Sequence, residues 1–195
     1  MIARPKDWES AQAFTGESEQ MKPGGHIVRI MAMRQELSQK SKQPMIVIAF
    51  DIEERSELDG FYKRQHEARK AQNPGAKWNG VIRYMLYAKD GVSTNGFFKG
   101  FVTAVEESNP GYRWDWDERS MAGKKVGMVF REEEYRGQNG DIRTSVKAFQ
   151  ARSVKTILDG VPVPEKKRLV ESAPSPAPFN PAAGFTQVED DDLPF

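Results

Sequence analysis

The stretch that decides the fold is MIVIAFDI, at residues 45–52. It is almost continuously apolar and rich in β-branched residues, which is typical of a strand buried on both faces or covered by an aromatic lid. On its N-terminal side, the segment HIVRIMAMRQ at residues 26–35 predicts another strand, and the polar residues 38–42 predict a turn. We therefore expect the folded part of the chain to begin with two strands joined by a short turn.

Beyond these two strands, the pattern changes twice. Residues 53–77 are charged, and residues 78–88 predict a third strand. Several apolar side chains then recur at helical spacing, with either Thr94 or Asn95 available as the N-cap. These side chains are Phe97, Phe98, Phe101, Val102 and Val105. Residues 97–107 are therefore predicted to form a helix, which the following Asn-Pro-Gly sequence ends.

Two more strands are predicted at residues 124–135 and 141–153, with a Gly-Gln-Asn-Gly hairpin turn between them and a short helical turn at 154–159. The resulting order predicts a mainly β fold with five strands and one helix. It resembles the OB-fold, a five-stranded barrel that binds oligonucleotides on one face and has its helix between strands three and four. Other small α+β folds share this count of elements.

The composition narrows the classes of protein to consider. The sequence has no cysteine and only two histidines, which excludes disulfides and thiolate metal sites and argues against a histidine-rich one. No apolar run approaches the length of a membrane span, and the N-terminus has no signal-peptide core. We expect a soluble cytoplasmic protein that has no membrane contact, metal or cofactor.

Charge is distributed unevenly along the chain. Residues 171–195 contain five of the 28 acidic side chains and none of the 29 basic ones, which leaves 23 acids against 29 bases, a net charge of +6, in residues 1–170. A basic body with an acidic tail is common in proteins that handle polyanions, although a mildly basic domain with a solubilising tail has the same pattern. Four prolines between residues 172 and 184 predict an extended, disordered segment.

The chain ends in EDDDLPF, whose residue types suit a docking peptide. Phe195 combines an aromatic ring with the free α-carboxylate, which an apolar pocket and an arginine of a partner can bind together. Pro194 fixes φ and lowers the entropy lost on docking, and Leu193 adds apolar area. The aspartates attract a basic rim. An acidic disordered terminus is the alternative, but such a terminus does not need an apolar ending.

This ending resembles the C-terminal tip of bacterial-type single-stranded DNA-binding proteins, which typically ends Asp-Asp-Asp-Ile-Pro-Phe. In that family the tip recruits replication, recombination and repair enzymes. The resemblance implies this partner-binding role for Asp190, Asp191, Asp192, Leu193, Pro194 and Phe195. The match covers residues 189–195, with a looser likeness over the linker. The body, including YRWDWD at residues 112–117, resembles the divergent versions encoded by phages and mobile elements.

Single-stranded DNA binding requires cations that follow the phosphates and aromatic faces that stack on bases. The predicted strands and the charged segment after the second strand, which is expected to form a flap, combine both types of residue. The candidate DNA-binding residues are Arg29, Tyr62, Lys63, Arg64, Trp78, Arg83, Tyr87, Arg143, Lys147 and Phe149. The alternative for each aromatic residue is a place in the core, which we expect for Tyr84. Trp114 and Trp116 are expected to pack locally, because neighbouring aspartates repel phosphate.

These observations divide the chain into four parts. They are an N-terminal arm at 1–24, an OB-fold-like single-stranded DNA-binding domain at 25–160, a proline-rich disordered linker at 161–188 and the docking tip at 189–195. The expected function is non-catalytic coating of single-stranded DNA, with enzymes recruited by the tip. The resemblance implies any state from monomer to tetramer, so a homo-oligomer stays open.

Three alternative functions remain. Acidic clusters at 115–118 and 132–134 suggest a Mg²⁺-dependent nuclease, although consecutive glutamates on a strand alternate between faces and suit a solvated strand end better. An adaptor that only presents the tip would not bind oligothymidine. A strand-annealing recombination protein would bind DNA and also accelerate duplex formation.

Overall fold

The computed structural model describes residues 3–6, 8–9 and 19–169. Its strands and helices alternate in an order close to the predicted one. In chain order they are β1 (Gly24–Leu37), β2 (Pro44–Ile52), α1 (Phe61–Gln72), β3 (Val81–Met85), α2 (Gly96–Ser108), a 3₁₀ turn (Glu118–Met121), β4 (Lys125–Arg136), β5 (Ile142–Arg152) and α3 (Val154–Leu158). The five predicted strands and the helix between the third and fourth are confirmed, whereas helix α1 was not predicted.

The strands form one antiparallel sheet in the order β3-β2-β1-β4-β5. The sheet is open, and β3 and β5 are its two edge strands. Cα atoms of these two edges nevertheless approach within 8 Å of one another, because the sheet curls. The mainly β class is therefore confirmed, with an open five-stranded sheet as the observed architecture.

The core lies on the inner side of this curled sheet. Strand β2 is buried along most of its length, as its apolar composition predicted, and Phe50 is only 1% exposed. Helix α2 packs against β3, β4 and β5 and buries Phe98, Phe101 and Val105. Asn95 is the N-cap of α2, since its Oδ1 accepts hydrogen bonds from the backbone N–H groups of Phe97 (2.9 Å) and Phe98 (3.3 Å).

Helix α1 receives its cap from a strand. The residue before the helix is Gly60, which has a left-handed φ of 66° and no side chain to cap the first turn. Asp51 of β2, which is 8% exposed, supplies the acceptors instead. Its Oδ1 accepts from the N–H of Tyr62 at 2.9 Å, and its Oδ2 accepts from the N–H of Lys63 at 3.2 Å. A buried carboxylate at a helix N-terminus also interacts favourably with the helix dipole.

Replacing Asp51 with alanine is therefore expected to destabilise the protein by about 1–2 kcal/mol, because two helix N–H donors lose a buried acceptor. Urea unfolding followed by circular dichroism measures the effect. Asp159→Ala is the matched control, since Asp159 is exposed and its ion pair with Lys155 is on the surface. Equal unfolding midpoints for the two variants would contradict the capping role.

The segment after α3 remains in contact with the sheet. Lys167 donates its backbone N–H to Glu132 O and accepts from Glu134 N, both at 2.9 Å, in a short parallel bridge to β4. This bridge uses the part of β4 that extends beyond its pairing with β1. The first residues of the predicted linker, 161–169, are thus described with the domain, and the rest of the linker and the tip lie outside the described residues. The four-part division stays a prediction.

Candidate nucleic-acid interface

A groove of about 1220 Å³ lies between the two edges of the sheet. It is lined by β3 and the residues just before it, and by β5 and the outer part of β4. The start of α2, the first turns of α1 and residues 19–21 complete the lining. A cleft of this size between unpaired strands is large enough to hold an extended chain of several units.

Four of the predicted DNA-binding residues meet in this groove with exposed or half-buried side chains: Trp78, Arg83, Lys147 and Phe149. They come from both edges of the sheet, so the curl of the sheet is what brings them together. Burial alternates along β3, which leaves Arg83 exposed between the buried Ile82 and Tyr84. The predicted burial of Tyr84 is confirmed, at 8% exposure.

The indole of Trp78 is held in place by two backbone carbonyls. Its Nε1–H donates to Phe50 O at 3.0 Å and to Gly80 O at 3.2 Å, and its ring lies 5.4 Å from that of His66. The side chain is half-buried, so part of the ring lies at the groove surface. An anchored aromatic ring loses little entropy when it stacks on a base, which suits a binding platform.

The groove contains cations without local acidic partners. Within the described ranges, no carboxylate lies within 4.0 Å of the charged groups of Lys77, Arg83 or Lys147. The ammonium of Lys147 lies 6.0 Å from the centre of the Tyr135 ring. All three cations are exposed, and they are therefore available to phosphate groups.

Phe149 forms a composite surface with an arginine on the neighbouring strand. The guanidinium of Arg131 lies 3.9 Å from the centre of the Phe149 ring and is also hydrogen-bonded to Glu133, with Nε 2.9 Å from Oε1. Phe149 is the extra residue of a bulge, since Phe130 pairs with Ala148 while Val129 pairs with Gln150. The ring is 39% exposed, so one part of it remains open to the groove.

Tyr62 also lines the groove, but in a different role from the predicted one. It lies in helix α1 and not in a flap, it is 7% exposed, and its ring packs against Phe50 at 5.5 Å and Phe61 at 5.0 Å. Burial, together with the nearby charge of Asp51, raises the pKa of its hydroxyl well above its ordinary value. Tyr62 therefore supports the groove floor and leaves little ring area for stacking.

The other predicted DNA-binding residues do not line the groove: Arg29, Lys63, Arg64, Tyr87 and Arg143. Three of them are engaged by carboxylates. Arg29 pairs with Glu53, Arg64 with Glu19 and Arg143 with Asp141.

The pair between Arg29 and Glu53 also changes the acidity of its carboxyl group. The guanidinium of Arg29, with a smaller contribution from Lys125, lowers the pKa of Glu53 to about 2. Lys63 lies exposed on α1, and Tyr87 pairs its backbone with Thr94 beyond the end of β3. These five residues stay predictions as DNA contacts, without support from the groove.

Three residues that the sequence reasoning missed line the groove as well. Phe97 is 72% exposed at the start of α2, Lys77 adds a cation, and Arg131 lines the groove while paired with Glu133. The helical spacing of the apolar residues predicts Phe97 to be part of the buried stripe of α2, whereas its ring is exposed. The sequence contains evidence for this exposed position. Phe98, Phe101 and Val105 already form a buried apolar stripe on the helix, so the stripe does not need Phe97.

No protein-family model matches the sequence, and no curated protein matches it. Across residues 3–6, 8–9 and 19–169, no group of three or more histidine or acidic side chains is arranged to hold a metal ion. In the same part of the chain, none of the helices has the length and apolar character needed to cross a membrane.

Proposed function

We propose that this chain is a non-catalytic single-stranded DNA-binding protein with an OB-fold-like body, which acts in the cytoplasm and binds DNA in the groove between β3 and β5. The observation that carries the proposal is the convergence of Trp78, Arg83, Lys147 and Phe149 on one groove from separate strands. The sheet order supports the OB-like interpretation, because pairing of β3 with β5 would close the five strands into a barrel.

In this proposal the residues of the groove have two binding roles. Lys77, Arg83 and Lys147 follow the phosphates, and Trp78 and Phe149 stack on bases. The interaction is tolerant of sequence, since every base has a face on which an aromatic ring can stack. Phe97, at the start of α2, offers a third aromatic ring at the same groove.

Titration with oligothymidine tests the proposal. We expect tight binding at low salt, a strongly negative slope of log affinity against log salt, and quenching of Trp fluorescence that is reduced in Trp78→Phe. Double-stranded DNA of equal length is the control ligand. An absence of oligothymidine binding at low salt would refute the proposal and favour an adaptor that only presents its tip.

The C-terminal tip is proposed to recruit replication, recombination or repair enzymes. Truncation after Gly184 is expected to abolish the retention of such enzymes from a bacterial lysate, as identified by mass spectrometry, because the ring and carboxylate of Phe195 are lost. The same truncation should bind oligothymidine at least as tightly as the full chain, with a larger difference at low salt, since three aspartates no longer compete with DNA.

Phe195→Ala is the matched control for the truncation, because it removes the ring and retains the aspartates. It should lose the enzymes and keep the oligothymidine affinity of the full chain. If truncation weakened oligothymidine binding, the competition between tip and DNA would be wrong, and if Phe195→Ala retained the enzymes, the docking role would be wrong.

A further inference from the structure

A second exposed aromatic surface lies outside the groove, on the loop between α2 and β4. Trp116 is 72% exposed, and its ring stacks on that of Trp114 with the centroids 4.4 Å apart. Trp114 in turn packs edge-on against Phe98 of the core at 5.4 Å. Trp114 therefore packs locally against the core, as expected. The ring of Trp116 stacks on Trp114 and remains exposed at the surface.

The backbone at Trp116 adopts a conformation that bulky residues rarely take. Its φ is +70°, in the left-handed region, where a residue with a branched or aromatic side chain is strained. Local packing does not explain why a tryptophan rather than a glycine or asparagine occupies this position, since most of the ring faces solvent. Strain of this kind at an exposed aromatic residue is typical of a binding surface.

The charges around this ring select the kind of partner. Residues 106–119 contain five acidic and two basic side chains, a net charge of −3. Asp115, Asp117 and Glu118 are exposed, and within the described residues none of them has a basic partner within 4.0 Å. An aromatic face beside carboxylates that lack a basic partner repels phosphate and attracts a cation, and a guanidinium suits it best because it can stack on the ring while it pairs with a carboxylate.

The number of carboxylates beside the ring favours a peptide over a small free cation. Asp115, Asp117 and Glu118 adjoin Trp116 in the sequence. A segment with several arginines can place one guanidinium on the ring and others on the carboxylates, whereas a single small cation occupies only one of these positions. We infer that Trp116, with Asp115, Asp117 and Glu118, binds an arginine-rich segment of a partner protein, at a surface separate from the DNA groove.

The test uses the full chain and a blocked tetra-arginine peptide as the probe, with affinity measured by calorimetry at low salt. Trp116→Gly keeps a residue that tolerates positive φ and removes the ring, and it should weaken peptide binding about ten-fold. The amide variant Asp115→Asn/Asp117→Asn should weaken binding several-fold and flatten its salt dependence. Trp8→Ala is the matched control, because Trp8 is also exposed and lies on the N-terminal segment.

A second readout does not depend on the folding of any variant. In the NMR spectrum of the unaltered chain, the indole N–H signal of Trp116 should shift on addition of tetra-arginine while that of Trp8 stays in place. Failure of tetra-arginine to bind, or equal affinity for Trp116→Gly, would overturn the inference. So would a shift of the Trp116 signal with oligothymidine in place of tetra-arginine, since the surface would then belong to the nucleic-acid interface.

Discussion

Replacing both Arg83 and Lys147 with glutamate is expected to weaken oligothymidine binding by a factor on the order of 100 at low salt. These two cations lie on opposite edges of the groove, and within the described residues neither has an acidic partner. Each substitution removes an attraction to phosphate and introduces a repulsion of similar size. The slope of log affinity against log salt should become less steep by about two, because two phosphate contacts are lost.

The control for this variant changes the net charge equally at a distance from the groove. Arg34 and Lys155 are exposed, pair with Glu36 and Asp159, and do not line the groove. Arg34→Glu/Lys155→Glu should therefore weaken binding only through long-range, salt-screened repulsion, by a few-fold. Equal losses in the two double variants would mean that DNA responds to the overall charge of the protein and not to the groove.

The strands and helix α2 were predictable because their apolar residues alternate, form a continuous run as in β2, or recur at helical spacing. Helix α1 was not, since only its first two residues, Phe61 and Tyr62, are buried and the rest of it has no apolar stripe. Its start is determined by Asp51, a carboxylate on a preceding strand, and a cap supplied from outside the helix has no local sequence signature.

Only part of the groove was predictable from the sequence. Interleaved cations and aromatic residues marked Arg83, Lys147 and Phe149, but sequence alone does not tell which cations have acidic partners. The pair between Arg29 and Glu53 depends on the register of β1 against β2, which places Arg29 opposite Asp51. By contrast, the pair between Arg143 and Asp141 spans two residues and was open to prediction.

Gly80 connects the stability of the fold to the shape of the groove. A Cβ at this position would lie 2.3 Å from the carbonyl oxygen of Phe50 and 2.8 Å from the ring of Tyr62. The same Phe50 donates its N–H to Gly80 O at 2.8 Å, and both carbonyls accept the indole N–H of Trp78. The close crossing of backbone at Gly80 therefore holds the start of β3 against β2 and also orients the Trp78 ring.

Gly80→Ala is accordingly expected to destabilise the protein by about 2–3 kcal/mol, since the obstructing atoms are backbone and a packed ring that cannot move freely. The backbone movement that relieves this contact should also displace Trp78. It should therefore weaken oligothymidine binding by more than the loss of folded protein explains. Gly100→Ala is the matched comparison, because a Cβ there meets nothing within 4 Å on helix α2, and it should stabilise the protein by about 0.5–1 kcal/mol. Urea unfolding and oligothymidine titration of both variants measure the two effects. Since the chemical change is identical and only the surroundings differ, effects of the same sign in the two variants would show that the close contact at Gly80 is absent from the protein in solution.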